Sequence, residues 1–140
     1  MTDEHTDEHK VYTAADLVIA AISQVENLSV QEVEAELAER DVLLVDLREL
    51  DERADIGVIP GSTHAPRGML EFHADASLPY YIEGFEPGRR TILYCSDGAR
   101  SALAILTLQS MGYTDLAHLA GGMSAWMEDR LPVEDAPPIS

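Results

Sequence analysis

Residues 91 to 101 read Thr91-Ile92-Leu93-Tyr94-Cys95-Ser96-Asp97-Gly98-Ala99-Arg100-Ser101, and the fold turns on how they are read. Thr91 to Tyr94 is a short apolar run of the kind that forms a strand buried on both faces. The residues after Cys95 are small and polar and include Gly98, whose missing Cβ permits backbone angles that a side chain would oppose. A helix is predicted from Ala99 to Met111, with Leu103, Leu106 and Leu108 among its apolar residues and Gly112 placed to end it. Strand, tight loop and helix in that order are a building unit of parallel α/β sheets.

The same alternation extends in both directions. Val42 to Leu47 is a second continuous apolar run ending at charge, and Asp115 to Leu119 reads as a further short strand. Gly121-Gly122 makes a turn, and Met123 to Asp129 a short closing helix. Upstream, Thr13-Ala14-Ala15-Asp16 resembles a capping box, followed by Leu17, Val18, Ala21, Ile22 and Val25 at helical spacing. Ser29-Val30-Gln31-Glu32 opens another helix running to about Glu39, with Val33 and Leu37 inward. These helices are expected to flank the sheet, and the first offers an exposed face on which a partner or a second copy could dock. The expected architecture is one α/β domain whose central, mainly parallel sheet carries helices on both faces.

Composition narrows the classes of function. The 140 residues are 46% hydrophobic, which supplies a core without disulfides. Nine Lys and Arg stand against twenty-six Asp and Glu, a formal net charge of −17. A field of that sign repels phosphate backbones and anionic lipid, so neither nucleic acid nor membrane is an expected partner. No apolar run approaches the ~18 residues that span a bilayer. Met1 to Lys10 has neither a basic n-region nor an apolar h-region, so no secretory signal is expected and a cytoplasmic location is. The single cysteine excludes a CxxC redox pair and a cysteine-cluster metal site. The tandem repeat Thr2-Asp3-Glu4-His5 and Thr6-Asp7-Glu8-His9 would bring His5 and His9 to one face if helical, but its composition reads as a solvated acidic tail.

The chemistry concentrates at Cys95. In parallel sheets functional groups gather at the carboxyl ends of strands. A tight loop opening into a helix there points backbone N–H groups into its own concavity, backed by the positive end of the helix dipole. A cysteine at the first position of such a loop sits where a thiolate is stabilised, and Arg100 adds a positive charge near the loop's end. Nucleophile, anion cradle and cation within six residues imply covalent catalysis at sulfur. The competing reading of a lone cysteine is a small buried hydrophobe.

These features resemble the rhodanese-like sulfurtransferases of the small single-domain kind, over roughly Leu28 to Val133. Val45-Asp46-Leu47-Arg48-Glu49 is similar to the family's strand-end signature, and Ile59-Pro60-Gly61-Ser62-Thr63-His64-Ala65-Pro66 to its proline-glycine turn and following strand. Cys95 to Ser101 is similar to the active loop, and Gly121-Gly122-Met123-Ser124-Ala125-Trp126 to the closing motif. The resemblance implies that Cys95 carries a sulfane sulfur as a persulfide. It implies that Ser96, Asp97, Gly98, Ala99, Arg100 and Ser101 bind substrate, with Asp46 and Arg48 beside the loop as ion-paired or capping residues. Trp126 is expected in the core, His73 on the surface, and His64 and His118 have no acid–base partner visible in the sequence.

The implied activity transfers sulfur from thiosulfate or a persulfide to a thiol or cyanide, with no cofactor and no metal. A sulfur-relay protein is a further partner, and the chain is expected to be a monomer or homodimer. Segments are expected as an acidic tail (1–12), a helical extension (13–27), the rhodanese-like domain (28–133) and a loose tail (134–140).

Two positions depart from the family pattern. Val58 stands where the family often has a histidine, and Asp97 places negative charge in a loop that is frequently basic in thiosulfate-using enzymes. Repulsion of an anionic donor by Asp97 favours a persulfide donor over thiosulfate. Two alternatives share parts of the pattern. Cysteine phosphatases and arsenate reductases cradle an oxyanion in a Cys-x5-Arg loop, whereas Cys95 to Arg100 is one residue shorter, and no acid loop is evident. A non-enzymatic interaction or persulfide-sensing module could use the same fold without turnover.

Overall fold

A computed structural model of the chain describes residues 10–138. The repeat carrying His5 and His9 lies outside the described residues. Helix α1 spans Ala14–Ile22, strand β1 Asn27–Leu28, α2 Val30–Glu39, β2 Leu43–Asp46 and α3 Leu50–Ile56. Strand β3 is Thr63–His64, and a 3-10 turn at Arg67–Met69 leads into α4 at Leu70–His73. Then follow β4 (Thr91–Tyr94), α5 (Ala99–Ser110), β5 (Leu116–Leu119) and α6 (Gly122–Glu128).

The strands form one sheet in the order β1-β5-β4-β2-β3, and every neighbouring pair is parallel. β4 lies at the centre, in register with β2 through Val45 and Leu93 and with β5 through Leu93 and His118. Side chains of a strand alternate between faces. Leu43, Val45, Leu93, Cys95 and Leu116 therefore join the core under α5, with Ala104, Ile105 and Leu108. Leu44, Ile92, Tyr94, Ala117 and Leu119 face the opposite core with Val33, Met123 and Trp126. His118 alternates onto the same face as Cys95.

Both expected helix starts form. Thr13 Oγ1 accepts the Asp16 N–H at 3.0 Å while the Asp16 carboxylate accepts the Thr13 N–H at 2.9 Å. Ser29 and Glu32 reciprocate in the same way at 3.1 and 2.8 Å. The apolar spacing overstated the burial of α1. Only Ala21 is buried, while Leu17 and Ile22 remain 52% and 42% exposed, because α1 packs chiefly on α5. At the amino ends of the strands, the buried Arg90 bonds Glu26, Glu36 and Asp115 and ties β1, α2 and β5 together. Val58 and Glu134 exchange backbone hydrogen bonds of 2.8 and 3.0 Å in an isolated antiparallel bridge, so the segment expected as a loose tail is pinned at its first residue. No helix among the described residues is long and apolar enough to cross a membrane.

Candidate active site

Cys95 follows the last residue of the central strand and is fully buried. Gly98 takes φ +102 at the N-cap of α5, and this turn directs its N–H at Cys95 Sγ, 3.1 Å away. Ser101 Oγ lies 3.6 Å from the sulfur and Asp97 Oδ1 4.0 Å. The first turn of the 12-residue α5 thus stands behind the sulfur, as a thiolate requires.

Two loop residues behave differently from what contiguity suggested. Asp97 Oδ1 accepts the Ala99 N–H at 3.1 Å, so one of the loop's own amides is held by a carboxylate at the rim. Arg100 extends to α3, where both of its terminal nitrogens bond Glu52 at 2.8 Å, and it also reaches Ser96 Oγ at 3.2 Å. Ser96 in turn donates to Glu52 at 2.8 Å. The bidentate Arg100 bond is the main reason that the Glu52 carboxyl falls to a pKa of about 2, with burial opposing it. Glu52 therefore offsets the charge that Arg100 brings to the loop. It comes from another element, and no local motif announced it.

Asp46 and Arg48 lie behind the loop and engage each other. Asp46 Oδ1 accepts from the Arg48 backbone and Nε, each at 3.0 Å, and Oδ2 accepts from Arg48 at 2.9 Å, Arg53 at 2.9 Å and the Tyr94 hydroxyl at 2.8 Å. Arg48 also donates to the Gly57 carbonyl at 2.7 Å, and Tyr94 accepts the Ile59 N–H at 3.2 Å. Burial pushes the Asp46 carboxyl up, but the bonds from Arg48 and Tyr94 outweigh it and leave the group below its ordinary value. Burial, then the charge of Asp46, raises Tyr94 to about 12, so it stays a neutral donor. This buried cluster fixes the tip of β4 immediately before Cys95.

The closing turn touches the loop directly. Gly121 and Gly122 have φ of +79 and +58, and the amides of Met123 and Ser124 donate to the carbonyls of Cys95 and Ser96 at 2.8 and 3.0 Å. Trp126 is buried, with its indole N–H on the Pro132 carbonyl at 2.8 Å. His64 meets the Arg48 carbonyl at 2.6 Å, and His73 meets that of Tyr80 at 2.8 Å. His118 is buried beside Ser101, a pairing with no local signal in the chain because 17 residues separate the two. Val58 is buried and carries no polar side-chain group. No cluster of three metal-ligating side chains occurs among the described residues. A hollow of about 450 Å³ lined by Ile56, Ser96, Met123 and Met127 meets the loop at Ser96, and a smaller one lined by Val18, Ile22, Gly98 and His118 meets it at Gly98.

A family model described as Rhodanese-like domain matches residues 29–129. A sulfurtransferase from Allochromatium vinosum is 34% identical over 93 residues, covering 66% of this chain and 78% of the relative. A solved protein of unknown function from Rhodopseudomonas palustris, described as a possible tyrosine phosphatase, superposes with a TM-score of 0.83 at 36% identity, over 89% of this chain and 96% of that one. The polysulfide-sulfur transferase homodimer from Wolinella succinogenes superposes with a TM-score of 0.70 at 31% identity, over 86% and 85% of the two chains.

Proposed function

The chain belongs to the rhodanese-like domain family, and from that premise we propose that it is a sulfurtransferase working through a persulfide on Cys95. The observation that carries the reading is the Gly98 N–H aimed at a buried sulfur at 3.1 Å, at the head of α5. The Cys95 thiolate attacks the outer sulfur of the donor. Its electron pair forms the new S–S bond, and the donor's own S–S bond breaks with its electrons leaving on the departing thiolate or sulfite. The acceptor, a thiol or cyanide, then attacks the outer sulfur of the Cys95 persulfide and the electron pair returns to Sγ. Two half-reactions at one sulfur make the cycle ping-pong. Neither a metal nor an organic cofactor is needed, since the chemistry is that of sulfur alone.

Asp97 and the net charge of −17 favour a neutral or singly charged persulfide donor over the thiosulfate dianion. With no second cysteine in the chain, the sulfur is discharged to an outside acceptor, such as a small thiol or a sulfur-relay protein in the cytoplasm. The relative described as a possible tyrosine phosphatase raises phosphoryl transfer as a second reading. Against it stand the four residues between Cys95 and Arg100 and the guanidinium held by Glu52 in place of an oxyanion.

Intact mass before and after a glutathione persulfide donor, and separately after thiosulfate, tests the proposal. The expected result is a gain of one sulfur atom by the wild type, lost on adding cyanide, and none by Cys95→Ser. A free thiol that gains no sulfur from either donor moves the protein to the binding-module reading.

A further inference from the structure

Behind Cys95 runs a chain of hydrogen bonds that sulfur transfer as described does not use. Ser101 Oγ is 3.6 Å from Cys95 Sγ and 2.7 Å from His118 Nδ1, and His118 Nε2 is 2.7 Å from Asn27 Oδ1. Asn27 fixes which ring nitrogen of His118 carries the proton. Its Nδ2 lies 3.0 Å from both the Ile22 and the Val25 carbonyls, which can only accept, so the amide nitrogen faces them and Oδ1 faces the imidazole. An acceptor at Nε2 puts the ring proton there and leaves Nδ1 as a lone pair. Two acceptors lie within reach of the single Ser101 hydroxyl proton, His118 Nδ1 at 2.7 Å and the Gly98 carbonyl at 3.2 Å; the hydroxyl donates to Nδ1, the nearer, and its oxygen lone pairs are left for the thiol proton. Cys95, Ser101 and His118 are all buried, so bulk water does not stand between them.

We propose that Ser101 and His118 form a proton relay that deprotonates Cys95 for attack and returns the proton when the sulfur is discharged. The inference rests on Cys95 being the nucleophile. As the thiol loses its proton to Ser101 Oγ, the serine passes its own hydroxyl proton to His118 Nδ1. This leaves thiolate, neutral serine and imidazolium. The serine hydroxyl now points at the sulfur and adds a second donor to the Gly98 N–H. In the second half-reaction the electron pair returns to Sγ, which takes a proton back from Ser101, and Ser101 recovers one from His118. No proton is gained or lost over the cycle. Burial lowers the pKa of His118, which eases the return of the proton and makes its uptake from the thiol the harder half. Ser101 touches the reacting sulfur, while His118 acts through it as a positioning residue.

The charged groups facing the sulfur are Asp97 from the loop and Arg100 from α5, the latter paired with Glu52 of α3. The side chains bonded to His118, Asn27 from β1 and Ser101 from α5, are uncharged, and Asp97 shares the hollow in which the ring sits.

Two measurements test the relay without using sulfur transfer. In the wild type, nitrogen–proton NMR correlations of the His118 ring should show a neutral ring protonated at Nε2. A ring protonated at Nδ1 overturns the proposal, because the serine could not then donate. Separately, the rate of Cys95 alkylation by iodoacetamide is followed by mass against pH in Ser101→Ala, His118→Asn and the double variant. Each single variant should react about tenfold more slowly near neutrality, with its profile displaced by about one pH unit upward, and the double variant no further. Folded variants with the wild-type profile, or displacements that add, overturn the relay. If His118→Asn does not fold, Ser101→Ala and the wild-type tautomer decide the question. A failed relay leaves the sulfur gain on Cys95 intact, whereas a failed sulfurtransferase reading removes that gain whatever the profile.

Discussion

Gly122 is where a single methyl group should do the most damage. A Cβ there would lie 2.5 Å from the Cys95 carbonyl oxygen and 2.7 Å from the Ser96 carbonyl carbon and oxygen. All three are backbone atoms, so no side chain can rotate away, and either the loop or α6 has to move. Gly61 supplies the control, with φ +83 and no atom within 4 Å of its own Cβ position. Gly122→Ala and Gly61→Ala share the strain of a left-handed alanine, about 1–2 kcal/mol, and share the entropy change of the unfolded chain. Only Gly122→Ala must also separate α6 from the loop. That breaks the bonds from Met123 and Ser124 to the carbonyls of Cys95 and Ser96, at about 1 kcal/mol each. Urea unfolding followed by circular dichroism should therefore place Gly122→Ala about 2 kcal/mol below Gly61→Ala, a large share of a total stability of roughly 5–15 kcal/mol. The same variant should gain sulfur on Cys95 more slowly, since the displaced carbonyls belong to the candidate nucleophile and its neighbour. Equal losses in the two variants, to within roughly 0.5 kcal/mol, would refute the close approach.

Three further outcomes are expected. Glu52→Gln should cost about 1 kcal/mol at neutral pH, a figure discounted because Glu52 and Arg100 are 30% and 35% exposed. The folded pKa of Glu52 is depressed from 4.5 to about 2, so its contribution is full above 4.5 and lost as pH falls through 2; unfolding curves of wild type and variant should converge over that window, and a gap that survives at its foot refutes the assignment. Asp97→Asn keeps an acceptor for the Ala99 N–H and removes the charge; kcat/KM for thiosulfate should rise roughly tenfold with little change for a persulfide donor, and an equal change for both donors counts against the charge argument. Asp46→Asn strands Arg48 and Arg53, which are 1% and 7% exposed, and should lower stability by about 3–5 kcal/mol in the same urea assay, where a loss under ~1 kcal/mol would show that the cluster is held by other bonds.

The central strands and the loop between β4 and α5 are legible in the sequence because each is continuous. An apolar run, a glycine and a helical period sit side by side and need no distant partner to be recognised. Glu52 is not legible, since its value to the site comes from an ion pair spanning 48 residues. Asn27 and His118 lie 91 residues apart and meet only because β1 adds to the sheet beside β5. The exposure of Leu17 and Ile22 follows from a similar limit. Periodicity identifies the apolar face of α1, but the width of what covers that face is set by α5, which is encoded elsewhere. Arg100 illustrates a third case, in which the residue type was apparent and its charge was claimed by a carboxylate from another element.

The order of the strands has a consequence for how the protein coexists with other copies of itself. Among the described residues its two edges are β1 and β3, and each is two residues long. An open sheet is exposed to edge-to-edge addition of further strands, the route by which folded sheets seed fibres, and very short edges are one of the devices that block it. Here the long, apolar strands β2, β4 and β5 are all interior, each paired on both sides. This protection is geometric and does not depend on electrostatic repulsion. It therefore persists in strong salt or mild acid, where the mutual repulsion of highly acidic chains is screened or titrated away.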